Sequence, residues 1–214
     1  MPTPNPTRIF RIIHVDNLET LLLRGGLHAP HHNPSDGLSY RTIHNAEIQA
    51  ERRVRPMGCG PGGTVHDYAA FYLGPRSPML YQLNAGGVPG YNEGQEPLIY
   101  LVSTAQAVAA AGLGFVFSDG HGIARWMQWF CDLARLEEVD WEAVYARYWK
   151  DTVDDMDRKR RRQAEFLVYR FCPWSLVHEI GVFNPRARTR VEGVLAGHGQ
   201  EMRRPVEVRR DWYY

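Results

Sequence analysis

This sequence predicts an α+β fold, and three observations carry the prediction. Strand-like and helix-like segments are interspersed along the chain without strict βαβ alternation. The 214 residues are 44% hydrophobic and 23% charged, which suits one globular domain with a sizeable core. No internal repeat or linker divides the chain, so residues 1–214 are read as a single domain.

The elements follow in order. After a frayed, proline-rich start, Arg8 to Ile13 (RIFRII) reads as a strand ending at His14. Asp16 is a suitable N-cap for a helix over Asn17 to Arg24, with Leu18, Leu21 and Leu22 as its apolar stripe and Gly25-Gly26 as its stop. His28 to Tyr40 is rich in His, Pro, Asn and Gly and reads as a loop. Glu47 to Arg53 suits a short polar helix, and Gly58 to Gly63 a flexible loop that fits neither a Walker nor a Rossmann glycine pattern. Asp67 to Leu73 is a strand stopped by Gly74-Pro75, and a turn from Arg76 leads into a short helix. Leu98 to Val102 is a buried-type strand, followed by an alanine-rich helix capped by Ser103 or Thr104. Phe115 to Phe117 is a short strand, and Asp119-Gly120-His121-Gly122 turns out of it. Trp126, Trp129, Phe130 and Leu133 predict a helix over Ile123 to Leu136, and Asp140 caps another through Tyr148-Trp149. Lys150 to Arg162 is polar and expected to be mobile; Ala164 to Phe171 reads as a strand. A short helix from Pro173-Trp174, a strand at Ile180 to Phe183, a helix at Pro185 to Leu195 and an edge strand at Val206 to Arg209 complete the chain.

A net charge of +1 says nothing by itself about a polyanionic partner, so any such argument rests on local clusters. Cys59, Cys131 and Cys172 form no CxxC pair and suggest reduced thiols in a cytoplasmic protein. No run is long and apolar enough for a membrane span. His28, His31 and His32 invite a metal reading, but no Cys or carboxylate stands at ligand spacing, and no metal is expected.

The densest chemistry lies in DRKRRRQAEFLVYRF, Asp157 to Phe171, where Arg158, Lys159, Arg160, Arg161 and Arg162 run into an apolar strand. Alternation puts Glu165 on one face with Leu167 and Tyr169. Two readings fit Glu165: an ionised carboxylate poised beside a phosphate-gathering arm, or a surface partner of the neighbouring arginines. His14 and Tyr72 also stand at strand ends or strand-adjacent turns. A histidine, an aromatic hydroxyl and a glutamate on three central strands can hold a ribose, stack a carboxamide-bearing ring and steady positive charge as a glycosidic bond breaks.

Five segments, in order, resemble the DarT family of DNA-modifying toxins from DarTG toxin–antitoxin systems, relatives of the PARP-type ADP-ribosyltransferases. They are RIIHVDNLETLLLRGGL (11–27), GGTVHDYAAFYLGPRSPMLY (62–81), FVFSDGHG (115–122), DWEAVYARYWKDT (140–152) and DRKRRRQAEFLVYRFCPW (157–174). The resemblance implies an ADP-ribosyltransferase fold, with split sheets around an NAD cleft. It implies transfer of ADP-ribose from NAD, as co-substrate, to N3 of thymine in single-stranded DNA. Residue by residue, it makes Glu165 the catalytic glutamate and His14 the ligand of the nicotinamide-side ribose, with Val15, Asp16 and Asn17 also contacting the cofactor. Tyr72 would lie near the nicotinamide. Residues 36–53 would close over NAD, with Arg52 the arginine that acts on the target base; IQAERR leaves Arg53 as its alternative. Residues 121–165 would form the substrate-recognition segment. Arg76, Tyr148, Trp149, Arg158, Lys159 and Arg160 are the candidates for contact with DNA. A macrodomain antitoxin is the implied protein partner. Two other readings stay open: the same fold acting on guanine, RNA or protein, and a silent nucleic-acid-binding module.

Overall fold

The computed structural model describes residues Met1–Tyr214 and carries an eight-stranded sheet built of two halves. The strands are β1 (Arg8–His14), β2 (Gly26–His28), β3 (Tyr68–Tyr72), β4 (Leu98–Thr104), β5 (Phe115–Ser118), β6 (Trp129–Phe130), β7 (Glu165–Tyr169), β8 (Phe171–Pro173), β9 (Glu179–Val182) and β10 (Val206–Val208). The sheet order is β10-β9-β4-β1-β3-β7-β5-β6, while β2 and β8 form a separate ribbon. β1 is zipped to β4 over its whole length, and β3 to β7 over five residue pairs. Between those halves β1 and β3 share one pair, Phe10 opposite Tyr72, so the sheet splits there as expected.

Both faces of the sheet are covered, which is why its central strands read as continuous apolar runs. On one side Ile9, Ile13, Phe166 and Val168 join a large core. It also takes in Leu18, Leu21 and Leu22 of α1 (Asn17–Leu23) and Val191 and Leu195 of α7 (Pro185–Ala196). On the other, Phe10, Ile12, Leu98 and Tyr100 pack with Trp212 and Tyr213 from the C-terminal end. The remaining helices are α2 (Ala46–Val54), α3 (Pro78–Asn84), α4 (Ala105–Ala110), α5 (Trp141–Tyr145) and α6 (Arg158–Arg161). Local capping places them: Asn45 caps α2, Ser77 α3, Thr104 α4, Asp140 α5 and Asn184 α7 through side-chain oxygens that accept backbone N–H bonds.

Three expectations are corrected. Ile123 to Leu136 is not a helix. Trp129 and Phe130 form β6 opposite Ser118 and Phe117, with the Phe130 ring stacked on Phe117, and a 3-10 turn follows over Leu133–Glu138. Apolar residues at helical spacing here serve an edge strand, because pairing with β5 satisfies the backbone and buries Phe130 together. The helix begun at Asp140 ends at Tyr145 rather than reaching Trp149, since Ala146 is already extended. The basic run is no loose arm. Arg158 to Arg161 make one helical turn, tied by ion pairs to Asp119, Asp140, Asp155 and Asp157.

Candidate active site

Cross-strand register puts the predicted constellation together. Residues opposite one another in an antiparallel pair project from the same face. Phe10 is opposite Tyr72 and Tyr72 opposite Glu165, and His14 shares the parity of Phe10 on β1. His14, Tyr72 and Glu165 therefore rise from one face at the split.

Glu165 is 2% exposed, which excludes the reading of it as a surface partner of the basic run. Its partner is Arg52, delivered by the last turn of α2. Nη1 and Nη2 of Arg52 each donate to one carboxylate oxygen at 2.8 Å. Burial pushes the Glu165 carboxyl up, but the Arg52 charge and its hydrogen bonds, with His121 and the Gly122 N–H, outweigh burial and hold it below its ordinary value. Arg52 in turn is lowered by burial and raised by Glu165, with a net rise, so both stay charged. The expected source of Glu165 ionisation, the 158–162 run, is thus replaced by one arginine 113 positions away. The fold brings Arg52 to Glu165, while Arg53 lines an adjacent cleft.

The turn after β5 completes the carboxylate's surroundings, a contribution the sequence reading did not assign. Ser118 Oγ accepts the Glu165 N–H at 3.1 Å and donates to the Gly120 carbonyl at 2.6 Å; the Gly122 N–H reaches Glu165 Oε1 at 3.4 Å. A Cβ at Gly122 would stand 3.1 Å from Glu165 Oε2 and 3.3 Å from Arg52 Nη1, so only glycine leaves the pair undisturbed. The signal lay in SDGHG, where two glycines flank His121 directly after a strand.

His14 is buried beside Tyr91. Burial lowers its pKa, Asp16 opposes, and Arg41 and Arg190 reinforce the fall. Asp16 meets Nδ1 with its backbone N–H at 3.2 Å and its carboxylate at 3.1 Å, and Glu93 Oε2 faces Nε2 from 3.5 Å. That Nε2 has no hydrogen-bond partner. Asn17 clasps Arg41 reciprocally, donating to its carbonyl at 2.8 Å and accepting its N–H at 2.6 Å, which ties the 36–53 segment to the end of β1. Tyr72 is half-buried; its hydroxyl donates to Met79 Sδ at 3.6 Å, and burial pushes its pKa up to about 12. Val15 is buried, and Asp16 pairs with Arg41 and Arg190.

These features fit a dinucleotide. A buried imidazole nitrogen that makes no hydrogen bond suits a ribose hydroxyl. Thr42, His44, Gln49, Arg53 and Tyr91 contribute to a cleft of about 620 Å³, and Val15, Glu93, Arg186 and Arg190 to one of about 450 Å³, both within the range that small ligands occupy. No three or more His, Cys, Asp and Glu side chains gather in a way that could hold a metal ion.

The DNA candidates divide. Tyr148 is 79% exposed and Lys159 is exposed, whereas Trp149 is buried, its indole donating to the Tyr214 hydroxyl at 2.6 Å and packing on Tyr81. Trp149 therefore offers no face for a base. Arg76 is half-buried over the Tyr214 ring, and Arg158 and Arg160 are held by acids.

The model of the family DarT, ssDNA thymidine ADP-ribosyltransferase, matches residues 10–214. A DNA ADP-ribosyl transferase of Thermus sp. is 43% identical over 211 residues, covering 99% of this chain and 98% of that one. The structure of Thermus sp. 2.9 DarT in complex with ADP-ribosylated ssDNA superposes with a TM-score of 0.93 at 42% identity, covering 100% of this chain and 99% of that one. The same protein in complex with NAD+ gives a TM-score of 0.89 at 41% identity, with 100% of both chains covered. Fold, site geometry and these matches converge: the chain belongs to the DarT family of ssDNA thymidine ADP-ribosyltransferases.

Proposed function

We infer that this protein transfers ADP-ribose from NAD to N3 of thymine in single-stranded DNA, and that Glu165, Arg52 and His14 carry the reaction. One observation supports this above the others: a buried, ionised Glu165 held by Arg52 at the split of the sheet, on the face shared with His14. In the reaction the ribose–nicotinamide bond breaks and nicotinamide departs with the electron pair. The thymine N3 lone pair forms the new bond to the same ribose carbon, and the N3 proton is lost. Nicotinamide is already a good leaving group, so positioning and charge stabilisation are the protein's share.

His14 Nε2, which makes no hydrogen bond and faces Glu93 Oε2 from 3.5 Å, is placed to hold a ribose hydroxyl, and neutrality adds no charge beside a forming cation. The Glu165 carboxylate stabilises that cation and is the acceptor for the thymine proton once a ligand has loosened one of its two bonds to Arg52. Arg52 is a permanent cation and a poor base; it stabilises negative charge developing on thymine. A single strand presents its base without the cost of unpairing. Toxicity by blocked replication, a macrodomain antitoxin as partner and a cytoplasmic location fit this activity; the three unpaired thiols suit the location, and no helix is long and apolar enough to cross a membrane.

The test is incubation with labelled NAD and single strands that contain or lack thymine. Label appears only on thymine-containing strands, and Glu165→Gln lowers the rate roughly 100- to 1000-fold while keeping one acceptor for Arg52. Wild-type turnover in a folded Glu165→Gln protein, or label on thymine-free strands, defeats the reading.

A further inference from the structure

We propose that Trp126, with Arg125 lying on its ring, is the platform on which a base adjacent to the target thymine stacks, so that the turn 121–127 grips the strand as well as shaping the catalytic carboxylate. The inference rests on the DNA reading above and names a residue which that reading does not use.

Trp126 is 75% exposed, an unusual position for an indole in a chain whose Trp141, Trp149, Trp174 and Trp212 are buried. Had the segment been helical, its side chain would have joined the apolar stripe. Instead β6 takes Trp129 and Phe130 into the sheet, and Trp126 is left outside it.

The turn that presents Trp126 is fixed at several points, all of them close to the reacting groups. The Gly122 N–H bonds Glu165, and the ring of Trp129 lies 3.3 Å from where a Gly122 Cβ would stand. The His121 N–H bonds the Arg160 carbonyl at 3.0 Å, and the Ala124 carbonyl accepts from Arg55, the residue directly after α2, at 3.0 Å. Trp126 thus projects two residues beyond an anchor to the element that carries Arg52, and four beyond an anchor to Glu165. In a single strand, the target's two immediate neighbours are the nucleotides that a side chain beside these anchors is placed to meet.

The chemistry matches a nucleotide. Arg125 Cζ is 5.1 Å from the Trp126 ring centroid, so one face of the indole carries a cation and the exposure leaves the other open. A base can lie on the open face while the guanidinium reaches the phosphate beside it. Arg158, Arg160 and Arg161 are held by aspartates, but no ion pair engages Arg125, whose charge is available to a polyanion. Stacking of this kind tolerates any base and adds grip, not sequence choice.

A cycle of variant and substrate tests the proposal. KM and kcat are measured for a strand with one thymine, and for strands in which the nucleotide on its 5′ or its 3′ side is abasic, using wild type, Trp126→Ala and Trp126→Phe. Trp126→Ala is expected to raise KM for the intact strand about 5- to 100-fold, with kcat little changed, and Trp126→Phe to recover most of the loss. On one side of the thymine the abasic substitution raises KM for wild type but adds nothing to Trp126→Ala. Wild-type KM in Trp126→Ala, or penalties that multiply on both sides, overturns the platform while leaving the enzymatic reading intact. Absence of any label on thymine strands with wild type removes that reading, and the platform with it.

Discussion

The smallest unit that decides this molecule is the pair Arg52–Glu165. Each charge is buried, and each is tolerable only because the other is there. Arg52→Ala leaves the carboxylate in the core without a countercharge, and burial then drives its pKa above the ordinary carboxylate range. The expected loss is on the order of 3–5 kcal/mol at neutral pH. In the wild type Glu165 stabilises the fold above its unfolded pKa, and that contribution fades as pH falls through its lowered folded value. The variant carries the opposite sign, since protonation relieves it. Denaturant melts of the two proteins should differ most near neutrality and converge in acid. A constant gap across pH would mean that the destabilisation is not electrostatic. The same logic makes Glu165→Ala a poor activity control, because it strands Arg52.

At the scale of elements, the basic run before β7 divides its labour in a way its composition hides. Arg162 is 3% exposed, and its guanidinium donates to the carbonyls of Val144, Pro75 and Arg76, fastening the start of β7 to the end of α5 and to the turn after β3. Burial lowers its pKa to about 10, so it remains a cation at neutral pH. It is a clamp, not part of a phosphate-gathering field. Arg162→Met keeps the bulk and strands the carbonyls. The expected cost is about 3 kcal/mol, read as a lower denaturation midpoint, with the transfer rate falling because Glu165 follows Arg162 by three residues. An unchanged midpoint would show that the three bonds contribute nothing. Around this clamp Arg158, Arg160 and Arg161 are held by aspartates, which fix the turn before β7.

Across the whole molecule, two histidines, the buried His66 and the half-buried His44, predict how the fold responds to acid. Burial, with nearby positive charge, lowers His44 and His66 to about 4. His66 Nε2 meets Gln49 Oε1 of α2 at 3.1 Å, and His44 Nδ1 has no partner. A histidine whose folded pKa is depressed binds its proton more readily when unfolded, so stability drops as pH falls from about 6.5 towards about 4. Thermal melts across that window should show a falling Tm, and His66→Gln should flatten the slope. An identical slope in that variant would remove His66 from the account. Both rings border the segment that carries Arg52, so acid should loosen the active site before the sheet.

Strand alternation, caps and glycine stops fixed most elements from the sequence alone, because those signals are local. The apolar runs of β1, β3, β4 and β7, the Glu47 to Arg53 helix and the Pro185 to Leu195 helix all stand close to where their residues implied. His14, Tyr72 and Glu165 were legible as a set because each ends or borders a strand, and register then brought them to one face. The partner of Glu165 was not legible, since an ion pair across 113 residues is made by the fold and not by neighbours in the chain. Nor was the fate of the aromatics. Spacing alone fits Trp129 and Phe130 to a helix or to an edge strand, and only the open edge of β5, which lies in the assembled sheet, chose the strand and left Trp126 outside.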